Sequence, residues 1–361
     1  MDLAFWLFPF SFALTLLSMP LLILAAPRLR LMDNPGGRKQ HQRVTPLVGG
    51  LAIAMGLLPV VACLHVQTLQ PLLWLIGMLM MLALGILDDR AELKVTDRFV
   101  LHIMIGLLLF GADRELISLG DLFGVGPVLL GWLALPVTLF SVAAAINSMN
   151  MVDGVDGLLG TLSAIPLGAV MFISWEAGLV FEFALSGCLL ISVLVFLLFN
   201  FRFPWTKHAR VFMGDAGSTL IGFSLAWLLI SEARLGAMPP VLALFLLALP
   251  LMDTAGVICR RYMAGVSAST AGRDHLHHIL LDAGLSEAMT VITLGAASLL
   301  ITILGLFLHY HGVGDQYLFL CFMFMLGVYI GMSTSASTVA SRLSRYFSND
   351  EASAPSLYEN R

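Results

Sequence analysis

Charge is what this sequence has least of. Only 12% of its 361 residues are Asp, Glu, Lys or Arg, while 59% are apolar. Soluble domains average about 25% charged residues. The shortage excludes a disordered chain, a basic nucleic-acid binder and an ordinary soluble enzyme, because each needs more polar surface than this chain has. Cysteine is scarce too. Cys63, Cys188, Cys259 and Cys321 are scattered in apolar runs without C-x-x-C spacing, so they form neither a disulfide framework nor a zinc site. The dipeptide Gly-Lys never occurs, which rules out a P-loop. No repeat is evident at 20–50 residues.

Long apolar runs are abundant. A bilayer core about 30 Å thick needs roughly 20 apolar residues per helix. Eleven runs approach that length, at about 3–26, 47–66, 71–87, 99–112, 128–146, 158–175, 181–199, 216–232, 239–258, 289–309 and 317–335. The runs at 71–87 and 99–112 are short for a span. Only Asp2 precedes the first run, and its first basic residues, Arg28 and Arg30, follow it. That order predicts a retained helix rather than a signal peptide. The expectation is an all-α polytopic membrane protein of about eleven transmembrane helices, N-terminus outside and C-terminus cytoplasmic. Residues 1–335 form one transmembrane catalytic domain, and 336–361 a cytoplasmic tail predicted to be disordered.

The orientation rests on Lys and Arg. With the N-terminus outside, the inside loops and tail hold seventeen of the nineteen basic residues, and only Arg114 and Arg234 lie outside. Every unusual polar cluster then falls on the cytoplasmic side.

Four clusters carry chemistry. Asp88-Asp89 directly follows an apolar run, where ionisable groups are costly unless paired or functional. A solvated helix end paired with Arg90 is the plainer reading. Asn147-x-x-Asn150-x-x-Asp153-Gly-x-Asp156-Gly lacks EF-hand spacing. Asp156 is a candidate N-cap for the next helix, but capping leaves two Asn and two Asp unexplained. Phe212-Met-Gly-Asp215-Ala-Gly-Ser opens an apolar helix. A helix start with Gly and Ser suits phosphate, and an Asp there suits Mg²⁺; Asp215 could also be only a cap. Arg273-Asp-His275-Leu-His277-His278 has no Cys or H-E-x-x-H for zinc. It suits an anionic phosphorylated substrate, or is a solvated loop. Arg38, Lys39, His41 and Arg43 in the first inside loop also obey the positive-inside rule. Acids, histidines, arginines and a Gly-flanked helix start on one membrane face suit Mg²⁺-assisted phosphoryl transfer with a lipid substrate. A secondary transporter is the competing class, but it would place its acids near the midplane rather than in loops.

In order, Asp33-x-Pro35-x-x-Arg38-Lys39-x-His41, Pro46-x-x-Gly49-Gly50 and these four clusters resemble the polyprenyl-phosphate N-acetylhexosamine-1-phosphate transferases. The likeness runs from about Asp33 to Gly284. The resemblance implies a reaction in which undecaprenyl phosphate attacks the β-phosphorus of a UDP-N-acetylhexosamine and UMP leaves. It implies Mg²⁺ as cofactor, with Mn²⁺ as a substitute, in the bacterial inner membrane. It admits a homodimer, and no nucleic acid is involved. Asp215 is then the principal metal ligand. Asp88 and Asp89 lie beside it, to bind metal or lipid phosphate or to take a proton. A phosphate monoester is already mostly dianionic at pH 7, which favours metal and positioning roles over a base. Asn150, Asp153 and Asp156 line the nucleotide pocket with Phe212 against uracil. Asn200 and Arg210 match further polar positions. Arg273, His275, His277 and His278 hold the pyrophosphate or sugar, and Arg43 completes the substrate-binding set. Arg98 stands near where the family often has Lys. Ile279 follows His277-His278 where a muramoyl-pentapeptide transferase usually has a third histidine, which points to a simple UDP-N-acetylhexosamine rather than UDP-MurNAc-pentapeptide; the family likeness implies UDP-GlcNAc, with UDP-FucNAc and UDP-GalNAc as further alternatives.

The orientation is testable with single thiols in a cysteine-free background. Val125→Cys should react with an impermeant maleimide in intact cells, and Ser348→Cys only after permeabilisation. The opposite pattern inverts the topology.

Overall fold

A computed structural model describes residues 2–34, 43–64, 69–91, 93–202, 208–267, 272 and 274–352. Apolar sequence without water to satisfy its backbone becomes helix, because a helix satisfies its own N–H and C=O groups. The helices are α1 (Asp2–Leu29), α2 (Gly49–Leu64), α3 (Gln70–Ala91), α4 (Val95–Gly111), α5 (Ala134–Met151), α6 (Leu158–Glu176), α7 (Val180–Asn200), α8 (Gly214–Arg234), α9 (Pro240–Leu246), α10 (Ala248–Met263), α11 (Leu276–Asp282), α12 (Glu287–Tyr310) and α13 (Asp315–Ala352). Between α1 and α2 a two-residue antiparallel ladder pairs β1 (Met32–Asp33) with β2 (Thr45–Pro46).

Each of the eleven apolar runs falls on a helix, but the helices are not equally long. Among the described residues eight are long and apolar enough to cross a membrane, or nine if α9 and α10 count as one bent span. Helices α2 and α4, of 16 and 17 residues, fall short. The chain is a polytopic helical protein, and length and composition alone do not reach eleven spans. The run at 239–258 is broken: α9 and α10 meet at 83°. Pro250 has no N–H, so the Leu246 carbonyl loses its donor at the break. At the other end the helix α13 runs on through Ala352, where the sequence predicts a disordered tail from 336. No Gly or Pro interrupts the chain between Gly331 and Pro355, and serine alone does not stop a helix. Residues 353–361 lie outside the described residues.

The centre of the bundle is α8, nearly all of it buried. It packs against α2, α3, α5, α6, α7 and α9. Between membrane helices there is little hydrophobic drive, so close packing needs small residues. Its first half supplies them: Gly214, Ala216, Gly217, Ser218, Thr219 and Gly222. Gly50 of α2 lies against the Gly217 backbone, Gly85 of α3 against the Ala216 backbone, and Gly222 against Ile146 of α5. Three helices thus approach α8 backbone to backbone around its N-terminus. An apolar cavity of 320 Å³ opens further along, between α5, α8 and the α9–α10 break, lined by residues such as Phe140, Ala226, Leu244 and Leu251.

The far end of the bundle carries separate ion pairs. Arg114 meets Glu182 at 3.4 Å and Arg234 meets Glu115 at 3.4 Å. Buried Glu232 accepts the Ser174 hydroxyl.

Because a Cβ at residue 85 would collide with the α8 backbone, Gly85→Val should force α3 and α8 apart. Overpacking of this kind costs about 1–3 kcal/mol. Gly168→Ala, whose added carbon meets nothing within 4 Å, serves as the control. In thermal melts in detergent the first should lower the midpoint and the second should leave it unchanged.

Candidate active site

The site begins with the start of α8. A helix N-terminus presents backbone N–H groups without intrahelical partners and a partial positive charge. Met213, the residue before the helix, provides no side-chain cap. Asp89 does so from α3: its Oδ1 accepts the Asp215 N–H at 2.9 Å and its Oδ2 the Ala216 N–H at 3.3 Å. Gly214 makes this possible. It sits at φ +72, and a Cβ there would lie 2.7 Å from Asp89 Oδ2. The chain before it is fixed by the Pro46–Gly50 segment: Phe212 N–H donates to the Pro46 carbonyl at 2.8 Å, and Gly49 and Gly50 donate to Phe212 and Met213 at 3.0 Å each.

With the cap supplied by Asp89, Asp215 is not the cap of its own helix. Its Oδ1 accepts the Asn150 amide at 2.7 Å, and the same amide reaches Ser218 Oγ at 2.8 Å. The Asp88 carboxyl lies beside that of Asp215, near enough for the two groups to interact. Asp88 is buried, and its cationic partner is Arg98, at 2.8 Å, rather than Arg90. Arg90 instead donates to the Leu29 carbonyl at 2.7 Å. The Leu93 N–H completes the hold on Asp88 at 2.8 Å. On α5, the Asn147 amide reaches His102 Nδ1 of α4 at 3.3 Å.

The turn after α5 closes the next side. Asp156 is not an N-cap; Gly157 begins α6 at φ +84 without a side-chain cap. Asp156 instead pairs with Arg202 at 2.6 Å, and Arg202 pairs with Glu287 at 2.9 Å. Asn200 is buried and braces this turn, accepting the Gly157 N–H at 2.6 Å and donating to the Val211 carbonyl at 2.8 Å. Asp153 opens to the cleft but is ringed by protein. Removal from bulk water, and then the charges of Asp215, Asp89 and Asp156, push its pKa up to about 8.

The histidines arrive from the α10–α11 connection. His277 is buried against Gly154, which brings this motif onto the acidic turn. Its ring lies parallel to that of His275 at 5.6 Å and 4.2 Å from that of His278. His275 Nδ1 meets Asp253 Oδ2 of α10 at 2.8 Å. Asp253 also accepts the Leu276 N–H at 2.9 Å and the Tyr329 hydroxyl at 2.7 Å. Sequence reasoning missed Asp253 and Arg202. A lone acid inside the apolar run 239–258 was the available signal for Asp253, since intramembrane acids are functional candidates by default.

The structure thus brings together Asp88, Asp89, Asn150, Asp153, Asp156, Asn200, Asp215, His275, His277 and His278. Phe212 is half-buried on the strand-like segment beside Leu47. Arg43 is exposed just ahead of β2, and Arg210 is exposed just ahead of Val211. Pro35, Arg38, Lys39, His41 and Arg273 lie outside the described residues.

Does this donor set fit Mg²⁺? Among the described residues no three His, Cys, Asp or Glu gather into a cage. Mg²⁺ does not require one. It takes one or two carboxylates and completes its shell with water and substrate phosphate. Asp88 and Asp215 offer neighbouring hard oxygens, and Asp153 is a further carboxyl nearby. The residues fit the ion.

Comparison with known proteins agrees with the geometry. Residues 71–233 match the family described as "Glycosyl transferase family 4". An "Undecaprenyl-phosphate alpha-N-acetylglucosaminyl 1-phosphate transferase" of Yersinia pestis is 37% identical over 292 residues, covering 79% of this chain and 80% of the relative. The protein of that name from Escherichia coli K12 is 33% identical over 341 residues, 92% of each chain. That of Haemophilus influenzae is 33% identical over 309 residues, 85% of this chain and 87% of the relative. With likeness this extensive, and with the Asp88-Asp89 and Asp215 segments both inside the matched region, the chain belongs to glycosyl transferase family 4.

Proposed function

We propose that the chain transfers N-acetylglucosamine 1-phosphate from UDP-GlcNAc to undecaprenyl phosphate, yielding undecaprenyl-pyrophosphoryl-GlcNAc and UMP. The names of the relatives support the lipid and the sugar. The observation that carries the chemistry is the meeting of Asp88, Asp215 and Asn150 at the start of α8, with Asp89 holding that start in place. The enzyme works in the bacterial inner membrane with this end of the bundle at the cytoplasmic face, as the Lys and Arg distribution supports. Eleven spans, the two short helices included, give the odd count that this orientation needs. The product opens assembly of a cell-surface polysaccharide such as O antigen, and the enzyme works as a monomer or homodimer.

Bound at Asp88 and Asp215, Mg²⁺ would neutralise phosphate charge and polarise the bond to be broken. The protein's share is positioning. Asn150 fixes the Asp215 carboxylate through Oδ1. Arg98 and the Leu93 N–H fix Asp88. Asp153, Asp156 and Phe212 form the nucleotide side, and the histidines meet the diphosphate from α11. The lipid phosphate needs no protein base, since its second pKa lies near 6. Asp89 has both oxygens on α8 amides and acts as a brace rather than a base. The apolar cavity beside α5 and α8 offers surface to an isoprenoid chain.

Purified protein with undecaprenyl phosphate, a panel of UDP-sugars and Mg²⁺ tests the reading. UMP should be released with UDP-GlcNAc, and not when lipid or metal is omitted. Uptake of a solute into vesicles without UMP release would replace the transferase with a transporter. Asp215→Asn should lower turnover by about 10²–10³ or more, as loss of one preorganised electrostatic group does, with an unchanged melting temperature. Asp89→Asn should lower both, because loss of a helix cap costs about 0.5–2 kcal/mol. Full activity in Asp215→Asn would remove this residue from the metal site.

A further inference from the structure

The geometry points to Asp253 as a positioning residue that holds the His275 ring with its free nitrogen toward the diphosphate of the nucleotide sugar. The inference rests on the transferase reading above and adds to it a residue that no motif in that reading contains.

Asp253 lies in the middle of α10 and is 3% exposed. A carboxylate so placed must be paired or neutralised. All of its contacts are donors. Oδ1 takes the Leu276 N–H and the Tyr329 hydroxyl, and Oδ2 faces His275 Nδ1. The histidine loop is therefore fastened to α10 at its first residue and at the first residue of α11. A second fastening lies two turns further on, where Arg261 Nε meets Asp274 Oδ2 at 2.8 Å.

A fastening needs only polar contact. The pairing chosen does more, because a carboxylate on Nδ1 fixes the proton there and sets the orientation of the ring. The remaining nitrogen, Nε2, is then left for a ligand. Among the described residues Nε2 of His275 makes no hydrogen bond. The ring lies parallel to His277, which rests on Gly154 between the two carboxylates of the acidic turn. His275 therefore stands beside the cleft with one nitrogen committed to Asp253 and the other open to a ligand. The cleft itself already supplies the carboxylates, so in the transferase reading the ligand group that meets this ring is phosphate rather than another acid. Orientation of a donor ring by a buried carboxylate is the usual second layer of a site that must hold an anion in one geometry.

Asp253→Asn keeps the shape, keeps an oxygen for the Leu276 N–H and removes the charge. His275→Asn removes the ring. Tyr329→Phe removes one hydrogen bond to Asp253 and leaves the carboxylate in place. In steady-state assays Asp253→Asn and His275→Asn should each raise KM for UDP-GlcNAc about tenfold, the value of one charge-assisted hydrogen bond, with kcat within about twofold. The double variant should be no worse than His275→Asn alone, and Tyr329→Phe should match wild type. Calorimetric binding of UDP, which needs no turnover, should show the same pattern. Wild-type protein that releases no UMP but binds UDP in this pattern would defeat the transferase reading and leave this inference standing. An unchanged UDP affinity and KM in Asp253→Asn, or losses that multiply in the double variant, would overturn the inference and reduce Asp253 to a fastening of α11.

Discussion

The site depends on one contact between residues 126 positions apart: the Asp89 carboxylate on the first N–H groups of α8. The charge and the helix dipole act in the same direction, against the cost of burying a carboxylate. The contact aligns the end of α3 with the start of α8, and so sets Asp88 beside Asp215. It also divides labour within a pair of identical residues. Asp89 has both oxygens engaged by backbone. Asp88, one position earlier, faces the acid across the gap. Exchange of the two roles would require α3 to rotate by about 100°, one residue of helical turn, which the close approach of Gly85 to α8 forbids.

That approach is itself a consequence of the solvent. In a bilayer a large apolar side chain gains little by leaving lipid for a neighbouring helix, so helices meet where their residues are small. Gly50, Gly85, Gly217 and Gly222 are the places where α2, α3, α5 and α8 touch. The catalytic candidates follow within a turn or so of these contacts: Asp88 and Asp89 after Gly85, Asn150 after Ile146, Asp215 before Gly217. Clusters that read as loops in the sequence are therefore carried by packed helix ends, whose positions vary less than those of loops.

This explains what could be read from the sequence and what could not. Helix existence was visible, since eleven apolar runs coincide with helices. So was the gathering of the acidic, Gly-Asp and histidine motifs, because orientation by Lys and Arg put them on one face. Local rules failed where a distant partner took over. Asp156 resembles an N-cap but answers Arg202; Asp215 resembles a cap but is relieved of that task by Asp89; Asp88 pairs with Arg98, ten residues on, rather than Arg90. Periodicity and spacing see only a few residues at a time, and these pairings are settled by packing. The break at Leu247 and the helical run to Ala352 were misread for the opposite reason: they are local effects of Pro250 and of absent breakers, hidden beneath hydropathy and composition.

The placement of cations across the site then says where charge is still owed. Asp88 has Arg98 and Asp156 has Arg202. Each of these acids is held by its arginine from one side. Among the described residues Asp215 and Asp153 have no ion pair; Asp215 has only the neutral amide of Asn150. The unbalanced charge is thus confined to the middle of the cleft, between α8 and the turn after α5. Burial, and then repulsion there, raises the Asp153 pKa, and a divalent cation placed between these groups would oppose the repulsion. A cleft built only to bind phosphate would have had its arginines turned inward. Among the described residues Arg98 and Arg202 hold the rim, which leaves the centre to the proposed metal ion and its phosphates.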